Sequence, residues 1–199
     1  MQLELSKDQD HKLKIFSEEV VERNKHHNLT GHKDAQTFFN NQVMDCVLAL
    51  EACKEALQNK VVDCGSGAGL PAIVWAILEP EKTFYSIDKN TKKIQFQKQT
   101  ISKLELKNIE AHTTKIESFV LNQPHTVVLK AFGSIKTTTQ LKHRTNQKNL
   151  IFLKKDNKKT EEELLEAPAL LYDYKKHQYV LNKEKMVALE LYDSKNSHN

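Results

Sequence analysis

The sequence predicts a mostly parallel α/β sheet with a helical extension before it and an antiparallel hairpin at its C-terminal end. The first 60 residues show helical periodicity and contain no proline, since Pro71 is the first in the chain. From residue 60, short apolar runs rich in β-branched and aromatic residues alternate with helix-compatible stretches, which is typical of parallel strands with crossover helices. The 199 residues suit one compact domain with a sizeable core.

The N-terminal extension is predicted over residues 1–59. Apolar residues recur at helical spacing in two segments, first as Leu5, Leu13, Phe16, Val20 and Val21, and then as Phe39, Val43, Val47 and Leu50. A turn-like segment at residues 26–31 separates the two helices.

The sheet domain is predicted over residues 60–193, with a frayed tail at 194–199. Its candidate strands are 60–64, 83–88, 109–114, 126–132 and 149–155. Helical patterns follow Leu70, Asn90 and Ser134, which gives a repeating βα order. Two further runs, 178–181 and 186–192, predict the terminal hairpin.

Composition points to a folded protein of the cytoplasm. No segment approaches the roughly 20 apolar residues of a membrane span, and the N-terminus lacks the order of a secretory signal. The three cysteines, Cys46, Cys53 and Cys64, form no CxxC pair, so we expect reduced packing residues. We expect a monomer, with neither a membrane partner nor a metal site.

Three of the five glycines, Gly65, Gly67 and Gly69, lie between an apolar strand and an apolar helix. Glycine tolerates positive φ and lets a ligand approach the main chain, so this loop predicts the floor of a nucleoside site in a Rossmann-like fold. Leu70 stands where a dinucleotide-binding loop has its third glycine, which disfavours a pyrophosphate. A tight turn without a ligand is the alternative.

Two acids accompany this loop. Asp63 ends the strand before it, where a carboxylate orients the loop or accepts from a ligand's ammonium group, as the methionine portion of S-adenosylmethionine would require. Asp88 ends the next strand, where it is expected to hold ribose hydroxyls. The alternative for Asp88 is a helix cap before Asn90.

With these features in view, the chain resembles the ribosomal small-subunit methyltransferase G family, also called glucose-inhibited division protein B. The resemblance covers most of the chain and is weak only in the C-terminal part. It rests on residues 24–30, Asp45, residues 63–71, Asp88 with Lys92 and Lys93, residues 104–109, Ile116 with Glu117, and residues 130–132.

The resemblance implies a Rossmann-like S-adenosylmethionine-dependent methyltransferase fold and methyl transfer to N7 of a guanosine in small-subunit (16S) ribosomal RNA. Its expected partner is that RNA or the assembling 30S subunit. The resemblance implies cofactor contacts at Gly65, Leu70, Ile116 and Glu117, with Asp88 on the ribose. Lys130 occupies the position of a family arginine, which makes it a cofactor-binding and catalytic positioning candidate.

This chain departs from the family pattern at four places. It has Gln42 for a histidine, Cys46 for a serine, Lys130 for an arginine, and Lys154-Lys155 for Lys-Gly. Lysine keeps the positive charge of arginine but loses its planar, bidentate fork. Two alternatives therefore stay open, a weakened paralogue that binds ribosomal RNA without methylating it, and a methyltransferase of the same fold with a small-molecule or protein substrate.

A basic run is the predicted RNA-binding surface. The net charge is only +4, but residues 130–159 carry nine Lys or Arg against one acid, Asp156. The candidate RNA contacts are Asn28, Lys142, Arg144, Lys154 and Lys155. A solvated lysine face without RNA is the alternative.

Overall fold

The computed structural model describes residues 4–139, 146–166 and 172–193, with the backbone alone at residues 26 and 27. The predicted contacts Lys142 and Arg144 and the predicted frayed tail lie outside these residues. Seven strands form one sheet, β1 (Lys60–Cys64), β2 (Thr83–Asp88), β3 (Ile109–Thr113), β4 (His125–Lys130), β5 (Gln147–Lys155), β6 (Tyr172–Leu181) and β7 (Glu184–Asp193). The helices are α1 (Lys7–His27), α2 (Ala35–Phe38), α3 (Met44–Cys53), α4 (Ala72–Leu78), α5 (Thr91–Lys103), α6 (Ile135–Thr139) and α7 (Lys158–Leu165).

The helical extension folds as its apolar spacing predicts. Ser6 caps α1 in a capping box with Gln9, and Leu13 and Phe16 on this helix are fully buried. The predicted turn at residues 26–31 begins too early, because α1 continues to His27 and ends where Asn28 adopts a left-handed conformation (φ 47°). A π-helical turn, Phe39–Val43, joins α2 to α3.

The sheet has the order β3-β2-β1-β4-β5-β7-β6. The first five strands of this order are parallel to one another, whereas β7 pairs antiparallel with both β5 and β6. The direction of the strand order changes between β1 and β4, and ligands of open α/β sheets bind at such switch points, outside the carboxyl ends of the strands. The mostly parallel α/β class with a C-terminal hairpin is confirmed.

Two apolar clusters cover the two faces of the sheet. One includes Phe16 of α1 and Trp75 of α4, and the other includes Ile87 of β2 and Phe152 of β5. Trp75 is fully buried, and its Nε1 donates to the Cys46 carbonyl at 2.8 Å, so this residue belongs to the core. The three cysteines are buried and none of them forms a disulfide, as predicted for packing residues.

Several predicted boundaries need correction. The predicted strand 126–132 runs His125–Lys130, because Ala131 and Gly133 turn with positive φ of 54° and 58°. The predicted strand 178–181 is the end of the much longer β6. Helix α7 was not predicted, although Asn157 caps it by accepting from the Thr160 backbone N–H.

Candidate cofactor site

The glycine loop after β1 has a left-handed backbone at every glycine. The φ angles are 72° at Gly65, 60° at Gly67 and 95° at Gly69, a region in which a side chain is strained. The backbone N–H groups of Gly65 and Ser66 both donate to the Ile87 carbonyl, at 2.9 and 3.2 Å. The loop is therefore fastened to β2 beside Asp88.

A buried glutamine supports the loop from α5. Gln97 is fully buried, and its Nε2 donates to Ser66 Oγ at 2.8 Å and to the Gly67 carbonyl at 2.9 Å. Its Oε1 accepts from Ser86 Oγ on β2 at 2.5 Å. The sequence did not single out Gln97, although a polar residue between Ile94 and Thr100 on the apolar side of a helix was the available signal.

Asp88 connects the loop to the start of α5. One carboxylate oxygen accepts from the Gly67 backbone N–H at 3.1 Å and the other from the Asn90 N–H at 2.8 Å. The alternative of Asp88 as the helix cap is wrong, because the Asn90 side chain caps α5 by accepting from the Lys92 and Lys93 N–H groups. Asp88 stays partly exposed at the carboxyl edge of the sheet.

Asp63 lies under the loop and is 1% exposed. Its Oδ2 accepts from the Ala72 N–H at 3.0 Å, while Oδ1 has no hydrogen-bond partner among the described residues. Burial raises the pKa of Asp63 well above its usual value and Asp88 adds to this shift, whereas the Ala72 N–H and Lys130 oppose it. A cationic hydrogen-bond donor from a ligand would pair with Oδ1 of this carboxylate.

Phe132 packs directly against the glycine loop. A Cβ atom at Gly65 would lie 2.3 Å from Cδ2 and 2.8 Å from Cε2 of its ring. The left-handed turn at Ala131 and Gly133 folds the ring back toward β1. Of the loop glycines, Gly67 has the most space, because its nearest atom would be the Gly65 carbonyl oxygen at 3.9 Å.

Lys130 ends β4 and is held by the helical extension. Its Nζ lies 3.0 Å from Asp45 Oδ2 and donates to Gln42 Oε1 at 2.9 Å, and its side chain is 14% exposed. Burial opposes its charge, but Cys46, Asp45 and Asp63 together outweigh burial and raise the pKa of Lys130. The two departures from the family pattern at positions 42 and 130 thus contact each other.

The remaining predicted cofactor contacts lie around the same edge. Ile116 and Glu117 belong to a short 3₁₀ turn after β3, where the Thr114 N–H donates to the Asp88 carbonyl at 3.1 Å. Glu117 is exposed, Ile116 is half-buried, and Leu70 packs partly against the core at the end of the glycine loop.

The predicted basic face is largely neutralised by acids that follow it in the chain. Lys154 lies 2.8 Å from Glu163 of α7 and is 18% exposed, so a phosphate would have to compete with Glu163 for this ammonium. Lys155 lies 2.8 Å from Glu184 but remains exposed. Counting charges within residues 130–159 missed the Lys154–Glu163 pair, because Glu163 lies on α7, which was not predicted. Asn28 is exposed at the end of α1.

Neither a metal-binding cluster nor a membrane-spanning helix is present among the described residues. In the described ranges, no three His, Cys, Asp or Glu side chains converge as a metal site would require. Over the same residues, no helix is both long and apolar enough to cross a membrane.

Comparison with solved structures shows a methyltransferase fold. M. capricolum TrmK, solved in complex with S-adenosylhomocysteine, has a TM-score of 0.55 at 18% identity, over 73% of this chain and 67% of that chain. The putative methyltransferase yhhF from Escherichia coli also has a TM-score of 0.55, at 14% identity over 76% of this chain and 87% of that chain. The predicted Rossmann-like methyltransferase fold is therefore confirmed.

Comparison of sequences identifies the family. The family model described as rRNA small subunit methyltransferase G matches residues 9–190. The ribosomal RNA small subunit methyltransferase G of Brachyspira hyodysenteriae is 33% identical over 168 residues, which cover 83% of this chain and 80% of that protein. The protein of that name from Shewanella sp. (strain W3-18-1) is 33% identical over 147 residues, 73% of this chain and 70% of the relative. This chain belongs to the rRNA small subunit methyltransferase G family.

Proposed function

We propose that this protein transfers a methyl group from S-adenosylmethionine to N7 of a guanosine in small-subunit (16S) ribosomal RNA. The observation that carries the proposal is the left-handed glycine loop, tied through the Gly67 N–H to Asp88 at 3.1 Å, in a chain of this family. The relatives described above bear the name of ribosomal RNA small subunit methyltransferase G.

The residues of the site fit the cofactor. Asp63 Oδ1 is a buried acceptor that has no donor among the described residues, and a methionine ammonium, directly or through one water, would supply a donor. Asp88 is a partly exposed carboxylate beside the loop, suited to ribose hydroxyls. The residues proposed to hold the cofactor are Asp63, Gly65, Gly67, Gly69, Leu70, Asp88, Ile116, Glu117 and Lys130.

The chemistry asks little of the protein beyond placement. S-adenosylmethionine supplies an electrophilic methyl group on a sulfonium. Guanine N7 has an in-plane lone pair and carries no proton, so no residue has to act as a general base. We infer that the loop and Phe132 orient the reactants and exclude water, and that Lys130 adds a fixed positive charge.

The RNA should approach across the carboxyl edge of the sheet near Asp88. Four lysines lie there, Lys89, Lys92 and Lys93 at the start of α5 and Lys115 after β3. Within the described part of the chain, no carboxylate lies within 4.0 Å of their ammonium groups. They therefore remain available to phosphates. Asn28, Lys142, Arg144, Lys154 and Lys155 stay additional candidates, of which Lys154 is paired with Glu163.

Nucleoside mapping of small-subunit ribosomal RNA by mass spectrometry, in cells with and without this gene, tests the proposal. We expect one 7-methylguanosine to disappear on deletion and to return when deficient subunits are incubated with purified protein and S-adenosylmethionine. An unchanged modification pattern would refute the proposed reaction, and titration with S-adenosylmethionine would then show whether the chain still binds the cofactor.

We further propose that the protein acts in the cytoplasm, where ribosomal subunits assemble, and that it acts as a monomer. Size-exclusion chromatography with light scattering tests the monomer, and a mass of twice 23.0 kDa would contradict it.

A further inference from the structure

Four polar side chains from distant parts of the chain meet beside the glycine loop. Gln42 comes from the π-helical turn, Asp45 from α3, Lys130 from the end of β4 and Tyr179 from β6. We call them the Lys130 cluster. Asp45 and Tyr179 are 134 residues apart in the chain, so only the tertiary fold brings them together.

The hydrogen bonds of the cluster leave little freedom. Asp45 uses Oδ2 for the Lys130 ammonium at 3.0 Å, while its Oδ1 accepts from the Tyr179 hydroxyl at 2.8 Å. Because both carboxylate oxygens are engaged, the carboxylate cannot rotate away from Lys130. Gln42 Oε1 fixes a second N–H of the ammonium at 2.9 Å.

Among the described residues, the Lys130 ammonium uses two of its three N–H donors, those that meet Asp45 and Gln42, and one N–H is left without a partner there. The ammonium stands at the carboxyl end of β4, close enough to Asp63 for that carboxylate to affect its ionisation. The third N–H of Lys130 therefore lies at the same edge of the sheet as the glycine loop.

A buried ion pair is weak support for stability, because desolvation offsets most of its attraction. The side chains of Asp45 and Lys130 are only 6% and 14% exposed. Apolar residues of similar volume would stabilise the fold at least as well. An ion pair kept here, with Gln42 bonded to the ammonium and Tyr179 to the carboxylate, is better explained by a role in the site.

We propose that Asp45, Gln42 and Tyr179 are positioning residues, which hold the Lys130 ammonium so that its third N–H meets an oxygen acceptor of the bound reactants. The inference rests on the proposed function. Two oxygens share the required chemistry, the carboxylate of the cofactor's methionine portion and O6 of the target guanine. Tyr179 lies on the C-terminal hairpin, so the hairpin contributes to the site through the hydrogen bond from Tyr179 to Asp45.

Tyr179→Phe tests the outermost member, because it removes one hydroxyl and keeps the ring. We expect this variant to fold normally and to lose about tenfold in cofactor affinity or in single-turnover methyl transfer, as for a lost hydrogen bond to a charged group. Tyr174→Phe is the matched control, since Tyr174 lies on the same strand but is 55% exposed. Equal behaviour of both variants would overturn the proposal.

A double-mutant cycle separates positioning from simple structural support. If Tyr179 acts through Lys130, Tyr179→Phe should have almost no further effect in a Lys130→Gln background. Additive losses would overturn the proposal. If Lys130→Gln does not fold by circular dichroism, Lys130→Met, which also removes the charge and keeps an unbranched side chain, replaces it in the cycle.

The affinity for S-adenosylmethionine, measured by titration calorimetry, distinguishes the two acceptors. A non-additive loss in affinity identifies the methionine carboxylate, and a non-additive loss confined to the transfer step identifies guanine O6. Calorimetry also separates this inference from the proposed function. A wild-type protein without transferase activity refutes the reaction, whereas the cycle measured on cofactor affinity still decides whether Tyr179 acts through Lys130.

Discussion

Replacing Gly65 by alanine should destabilise the protein through two separate effects. The φ of 72° at this position is left-handed, which strains any residue with a Cβ by about 1 to 2 kcal/mol. The new Cβ would also lie 2.3 Å from the Phe132 ring, and overpacking of this kind adds about 1 to 3 kcal/mol. We therefore expect the free energy of unfolding to fall by about 2 to 5 kcal/mol.

Gly67→Ala isolates the first effect. Its φ of 60° is equally left-handed, but a Cβ there would meet nothing closer than 3.9 Å. The expected loss is about 1 to 2 kcal/mol. Gly31→Ala is the control, because a Cβ at Gly31 meets no atom within 4 Å, and its stability should stay within about 1 kcal/mol of the wild type.

Urea unfolding of the three variants measures these differences, and titration with S-adenosylmethionine measures the site. Displacement of Phe132 should weaken cofactor binding in Gly65→Ala, and the larger Gly65→Arg should abolish it. Equal destabilisation by the alanine substitutions at Gly65 and Gly67 would refute the contact argument. A Gly67→Ala variant that is as stable as the wild type would refute the argument from backbone strain.

Three further substitutions test other parts of the structure. Asp88→Ala removes the acceptor of the Gly67 N–H and should raise the S-adenosylmethionine Kd at least about tenfold in calorimetry, with a smaller effect for Asp88→Asn. Trp75→Phe leaves the Cys46 carbonyl without its 2.8 Å donor and should lower the free energy of unfolding by about 2 to 4 kcal/mol in urea. Burial lowers the pKa of His125, so the unfolded chain binds its proton more readily and stability falls as the pH drops below the unfolded value of 6.5. The stability of His125→Gln, measured by unfolding at several pH values, should depend less on pH below 6.5 than the stability of the wild type does. A slope identical to that of the wild type would contradict this assignment.

The strands and the glycine loop were predictable because their signals are local. The apolar run before Gly65 and the alternation of apolar and helix-compatible stretches need only neighbouring residues. Helix α7 was missed because its residues are mostly charged and it contributes only Thr160 to the buried set. Its acids then changed the interpretation of the basic run, since Glu163 pairs with Lys154.

The supports of the site were not predictable, because they depend on contacts between remote segments. Gln97 lies 30 residues from the Gly67 carbonyl that it holds. No spacing rule connects Asp45 with Tyr179, which follows in the part of the chain where the family resemblance is weakest. The sequence thus predicted the glycine loop and its two acids more readily than the residues that hold them in place.

The position of β7 has a consequence for synthesis of the protein. It follows β6 in the chain but lies inside the sheet, between β5 and β6. A nascent chain that has not yet released residues 184–193 therefore exposes the edge of β5, including Leu150 and Phe152, as a template for aggregation. A chain truncated before residue 184 would keep this edge exposed, and the sheet cannot be completed until the ribosome has released β7.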